Sequence, residues 1–225
     1  MNENYLNIIK KNVTDIRHSL PSGVLLVAAA KTRLPDEVKA AIEAGIKAIG
    51  YNYVQEGERL HETIGTTVQW HMIGHLQRNK VKKAVMLFDM IETIDSVNLA
   101  EEVNKHCALE SKVMPVLIEI NSGKESNKTG VLPEHVERLI LQINNLPNLK
   151  IQGLMTMGPR FGNPEDARPY FKVTKALFNR IKETKIPNVE MRYLSMGMSN
   201  SYKIAIEEGA NIVRIGTVLF GGRYS

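Results

Sequence analysis

Three groups of residues in this chain could do chemistry. The first is Lys31, which closes the apolar run Val24-Leu25-Leu26-Val27-Ala28-Ala29-Ala30. A lysine at the end of a buried strand is poorly solvated, and desolvation disfavours its charged form. The neutral amine is the form that condenses with a carbonyl, of a substrate or of pyridoxal phosphate. The same run also suits a structural lysine whose stem carries the ammonium up into water.

The second group is Ser195-Met196-Gly197-Met198-Ser199-Asn200-Ser201, and the third is Arg214-Ile215-Gly216-Thr217 with Gly221-Gly222 after it. Small residues let backbone amides approach an anion, and hydroxyls and a helix start add donors. A phosphate seat is the chemical reading, and glycine and serine as plain loop residues is the other. Asn52 either caps a helix or donates to a ligand oxygen. His71 and His75 would pair on a metal only if they lay on a helix. Their segment reads as a strand with no carboxylate nearby to complete a ligand set, so no metal is expected. Met155, Met157, Met196 and Met198 read as core and pocket lining. Walker loops and glycine-rich nucleotide fingerprints are absent from the sequence.

Elements must then bring these groups together. Apolar runs predict strands at 24–30, 48–50, 68–74, 87–91, 113–120, 149–155, 189–195 and 211–215. Amphipathic stretches predict helices at 36–44, 54–63, 77–85, 97–109, 133–144, 164–184 and 201–208. Repeated strand–helix units imply a parallel sheet. Eight of them in 225 residues suit a closed (β/α)8 TIM barrel, with an open doubly wound sheet as the competitor. Tyr5, Ile8, Ile9, Val13 and Ile16 recur at helical spacing and predict a leading helix. The expected organisation is a single domain over 1–225, with the helix at 1–20 and the barrel at 21–225.

Alternation puts Leu25, Val27, Ala29 and Lys31 on one face, and Ile212 with Arg214 on one face. The outer face of a barrel packs on helices, so Arg214 is expected to point inward. Closure pairs the first strand with the eighth. Pyridoxal phosphate could then link Lys31 to a phosphate loop after strands seven and eight, where barrels place such sites.

Composition sets the frame. The chain is 43% hydrophobic and 24% charged, with a net charge of +5. That mild charge gives little support to nucleic-acid binding. Cys107 is the only cysteine, read as a structural thiol in a reducing compartment. No apolar run is long enough to span a membrane, and the first 20 residues lack a signal-peptide core. A cytoplasmic protein is expected.

The motifs, in order, are Ala30-Lys31-Thr32, Asn52-Tyr53-Val54-Gln55-Glu56, His71-Met72-Ile73-Gly74-His75-Leu76-Gln77, Gly153-Leu154-Met155-Thr156-Met157, Leu194-Ser195-Met196-Gly197-Met198-Ser199 and Val213-Arg214-Ile215-Gly216-Thr217. Together they resemble the pyridoxal phosphate homeostasis protein family, single-domain relatives of the alanine racemase N-terminal barrel (fold type III). The resemblance implies that Lys31 carries pyridoxal 5'-phosphate as an aldimine. It implies that Arg214 faces the pyridine nitrogen, that Asn52 and Met196 sit at the cofactor, and that Ser199, Gly216 and Thr217 hold its phosphate. Tyr51 departs from the family's usual glutamate, Arg78 from a frequent serine, and Ser201 from a usual acidic neighbourhood.

The expected function is cofactor binding and homeostasis without robust turnover, with transient delivery to pyridoxal-phosphate-dependent apo-enzymes. A monomer without nucleic-acid or membrane partners is expected. The barrel takes up nearly the whole chain, leaving no room for the second domain that completes a racemase site. The alternative is an amino-acid racemase using Tyr51 or Tyr53 as acid/base. A third reading is a Schiff-base aldolase acting on a sugar phosphate.

Overall fold

The computed structural model describes residues 3–159 and 162–222. Eight parallel strands close into a barrel in sequence order, and β1 pairs with β8. The open doubly wound alternative is therefore excluded. The strands are β1 Leu25–Ala29, β2 Ala48–Tyr51, β3 Gln69–Met72, β4 Met90–Ile94, β5 Met114–Ile120, β6 Leu149–Thr156, β7 Val189–Ser195 and β8 Ile212–Ile215. The helices are α1 Glu3–Ser19, α2 Pro35–Glu43, α3 Val54–Ile64, α4 Val81–Leu87, α5 Val97–Leu109, α6 Val136–Ile143, α7 Arg168–Thr184, α8 Tyr202–Glu207 and α9 Thr217–Phe220. The first two residues of the expected leading helix lie outside the described residues.

Alternation along each strand divides the core in two. Val27, Ala48, Ile73, Met90, Leu117, Met155 and Ile212 fill the barrel interior. A much larger set, including Val213 and Ile215, packs between the sheet and the helices. The inward face expected for Leu25, Val27 and Ala29 is the one found.

One strand differs from its predicted bounds by more than two residues. The chain forms β4 at Met90–Ile94, three residues beyond the expected start at 87. Leu87 ends α4, and Phe88 is that helix's extended C-cap, buried in the outer core. Ala84 to Phe88 form an unbroken apolar run, so periodicity alone cannot separate helix end from strand start. The register of β4 against β5 also shifts between Ile91 and Ile94. That irregularity keeps both isoleucines in the outer core while Glu92 turns inward.

Candidate functional site

Lys31 lies two residues past β1, at the C-terminal mouth of the barrel, and is half-buried. Thr32 follows in the left-handed region at φ 64°. That conformation is uncommon for a non-glycine residue and accumulates at functional sites. The Thr32 amide donates to Glu56 Oε2 at 3.4 Å, and Pro35 then starts α2. The sharp turn fixes where the lysine leaves the strand.

Arg214 sits beside Val27 in the β1–β8 register. It is only 4% exposed. Two inward positions, Val27 and Ala29, lie below Lys31, a span of about 13 Å along an extended chain. The guanidinium is clamped: Nη2 donates to the Thr156 carbonyl at 2.9 Å, and Nη1 donates to Ser195 Oγ. Its Nε–H takes no part in either bond.

Glu92 holds this clamp, and the sequence reading missed it. Its Oε2 accepts from Ser195 Oγ at 2.6 Å and lies 3.7 Å from Arg214 Nη1. Its Oε1 lies 2.7 Å from His71 Nδ1. An ionised carboxylate only accepts, so Nδ1 carries the proton. Burial alone would raise the Glu92 pKa. The bond and charge of His71, the Arg214 charge and the Ser195 hydroxyl outweigh it and hold the group below the usual carboxylate range. His75 lies 3.6 Å from Asp95. Each histidine thus has a carboxylate beside it in space, which corrects the expectation of none nearby. Among the described residues no three metal-ligating groups come together.

The loops after β7 and β8 meet at the start of α9. Ser199 Oγ, after β7, accepts from the Gly216 amide at 3.2 Å and the Val218 amide at 3.5 Å. The hydroxyl therefore sits at the start of α9, with its own proton left to donate. Gly216 packs on β1, where an added Cβ would lie 3.1 Å from the Ala29 carbonyl. Thr217 is exposed at the first position of α9.

Asn52 follows β2 and is half-buried. The N-cap of α3 is Tyr53, not Asn52. Asn52 instead lines a cleft of about 260 Å³ with Met72, His75, Gln77 and Lys80. Gly74 holds it there, since a Cβ at that position would come 2.5 Å from the Asn52 carbonyl oxygen. Met196 is 0% exposed and packs in the outer core, with its amide bonded to the Ile212 carbonyl at 3.1 Å.

Tyr51 points away from the mouth. It stacks on Trp70 with ring centroids 5.6 Å apart, in the outer core. Its hydroxyl is buried without a hydrogen-bond partner, and burial pushes its pKa well upward. This overturns the expectation that Tyr51 could serve as an acid/base at the site. Tyr53 is 58% exposed.

An amine after β1, an amide after β2, a buried cation below and an anion seat after β7 and β8 suit a flat, phosphorylated aldehyde. In an eight-stranded parallel barrel, that arrangement defines the class of the alanine racemase N-terminal domain, and this family matches residues 5–224. The barrel of alanine racemase from Clostridium difficile 630 shares the fold, with a TM-score of 0.79 at 16% identity over 100% of this chain and 61% of the racemase. PipY from Synechococcus elongatus PCC7942, solved with PLP bound, gives a TM-score of 0.87 at 29% identity over 95% of this chain and 100% of PipY. The pyridoxal phosphate homeostasis protein of Aquifex aeolicus is 43% identical over 88% of this chain and 86% of its own. That of Escherichia coli is 33% identical over 97% and 98%. The chain belongs to the pyridoxal phosphate homeostasis protein family.

Proposed function

We propose that the protein binds pyridoxal 5'-phosphate at the barrel mouth, covalently on Lys31, and holds it for release rather than for turnover. When bound, the cofactor supplies an electrophilic aldehyde and an electron-withdrawing ring. Lys31 supplies the amine. Ser199 Oγ, the Gly216 and Val218 amides and Thr217 bind the phosphate, and Asn52 flanks the ring. Arg214 faces the ring nitrogen.

The observation that carries this reading is the buried, clamped Arg214 beneath the lysine and beside the anion seat. A fixed positive charge disfavours protonation of a nearby ring nitrogen. The ring is then a weaker electron sink, which suits storage better than carbanion chemistry. Racemisation also needs an acid/base on the far face of the cofactor. Tyr51 lies in the outer core and Tyr53 on the exposed rim. Delivery to apo-enzymes, a monomeric state and a cytoplasmic location belong to the same proposal. No helix among the described residues is long and apolar enough to cross a membrane.

The test is α-proton exchange from amino acids in deuterated water, run on protein loaded with pyridoxal phosphate. Exchange no faster than with free cofactor is expected. Rapid, selective exchange with one amino acid would establish an enzyme instead.

A further inference from the structure

The barrel interior buries two carboxylates that face one arginine. Glu92 on β4 is 0% exposed and Glu119 on β5 is 2% exposed. They are held very differently. Both Glu92 oxygens are engaged, by His71 and by Ser195. Glu119 accepts from the Thr129 hydroxyl at 2.8 Å through Oε1, and its Oε2 has no hydrogen-bond partner. Burial raises the Glu119 pKa and nearby Asp95 adds to this, against weaker pulls from Thr129, Arg214 and His75. Glu119 therefore leans toward its neutral form and Glu92 toward its anion. Glu92 is the counter-ion of Arg214.

We propose that Glu92 is a positioning residue of the cofactor site: through Ser195, and braced by His71, it fixes the Arg214 guanidinium beneath the ring and offsets its charge. The inference rests on the reading that Arg214 faces pyridoxal phosphate held on Lys31. Glu92 itself need not touch the cofactor. Its contacts cross the interior from β4 to β7 and β8. The groups facing it are His71 from β3, Ser195 from β7 and Arg214 from β8. Glu119 from the neighbouring strand β5 also interacts with Arg214, with Asp95 and His75 near it.

Without the Glu92 charge, Arg214 would present an unbalanced cation to the cofactor. A nearby positive charge disfavours adding a proton. The linkage between Lys31 and the cofactor should then lose its proton at lower pH, which visible absorbance reads directly. The experiment compares wild type, Glu92→Gln and Glu92→Asp, each reconstituted with pyridoxal phosphate and titrated spectroscopically. In Glu92→Gln the midpoint should fall by about one pH unit, a tenfold change in proton affinity. Glu92→Asp should move it the same way by less. Cys107→Ala, a buried change near the C-terminal end of α5 in the outer core, should lower stability and leave the midpoint alone.

An unchanged midpoint in Glu92→Gln overturns the proposal. Should that variant not fold, an unchanged midpoint in Glu92→Asp overturns it equally. Absence of a visible band from wild type itself would instead defeat the underlying reading of the site.

Discussion

Arg214 and Glu92 carry opposite charges in a space closed to water, and their contribution to stability depends on keeping both. Breaking a buried pair by removing one partner typically costs about 3–5 kcal/mol. Arg214→Leu should therefore lower unfolding stability by about that amount, measured by urea denaturation. Glu119 gives the opposite case. Its raised pKa means the folded chain binds more protons than the unfolded chain above the ordinary carboxylate pKa of about 4.3. Stability is therefore lost as pH rises through that window. Glu119→Gln should gain on wild type as pH rises from about 4.3, and a pH-independent difference would contradict this. Tyr51→Phe removes a buried hydroxyl that has no partner. It should stabilise the fold by about 1 kcal/mol in thermal or urea unfolding and leave cofactor binding unchanged. At this scale Lys31, Ser199 and Arg214 were legible because each breaks a local pattern: a cation after an apolar run, a hydroxyl among glycines, a charge between buried aliphatics. Glu92 was not, because its partners come from β3, β7 and β8, and sequence distance hides them.

Elements place these side chains, and small shifts in them move chemistry. Helix α5 is found at the predicted bounds, since a long amphipathic stretch leaves little ambiguity. The predicted helices beginning at 133 and 164 each open with a 3-10 turn, Pro133–His135 and Pro164–Ala167, before the α-helix proper. Helix α9 escaped prediction because its four residues are too few to show periodicity. It is nonetheless where the Gly216 and Val218 amides gather on Ser199. The misplaced start of β4 had the larger consequence. A strand ending at 91 leaves Glu92 in a loop, whereas the strand formed carries it into the barrel. The close approach of β3 to the end of β2 gives a test. Gly74→Ala places a methyl against the Asn52 backbone, where the nearest atoms would be 2.5–2.9 Å away. The strand ends must separate, and affinity for pyridoxal phosphate should fall several-fold by fluorescence titration, with the barrel's far-ultraviolet circular dichroism retained.

On the scale of the whole molecule, the first helix and the last one are tied together. Tyr5 Oη donates to the Phe220 carbonyl at 2.6 Å, and Asn12 Nδ2 donates to the Leu219 carbonyl at 3.2 Å. Arg33 reaches the Gly221 carbonyl at 2.7 Å while pairing with Glu37 at 3.2 Å. The leading helix and α2 thereby brace α9, the element at whose start Ser199 is held, and closure of β8 on β1 completes the tie. Arg33→Ala should both destabilise the fold and weaken binding of the phosphorylated cofactor more than that of unphosphorylated pyridoxal. An equal loss for both ligands would separate α9 from the phosphate. Repetition of strand and helix made the barrel legible in the sequence, but this bracing joins residues more than 180 positions apart, and no local pattern announces it. The central claim is that the lysine after β1 carries pyridoxal phosphate. Borohydride reduction of the loaded protein followed by peptide mapping tests it most directly. The account predicts a phosphopyridoxyl group on Lys31 that Lys31→Ala abolishes, and a label on any other lysine in its place would contradict it.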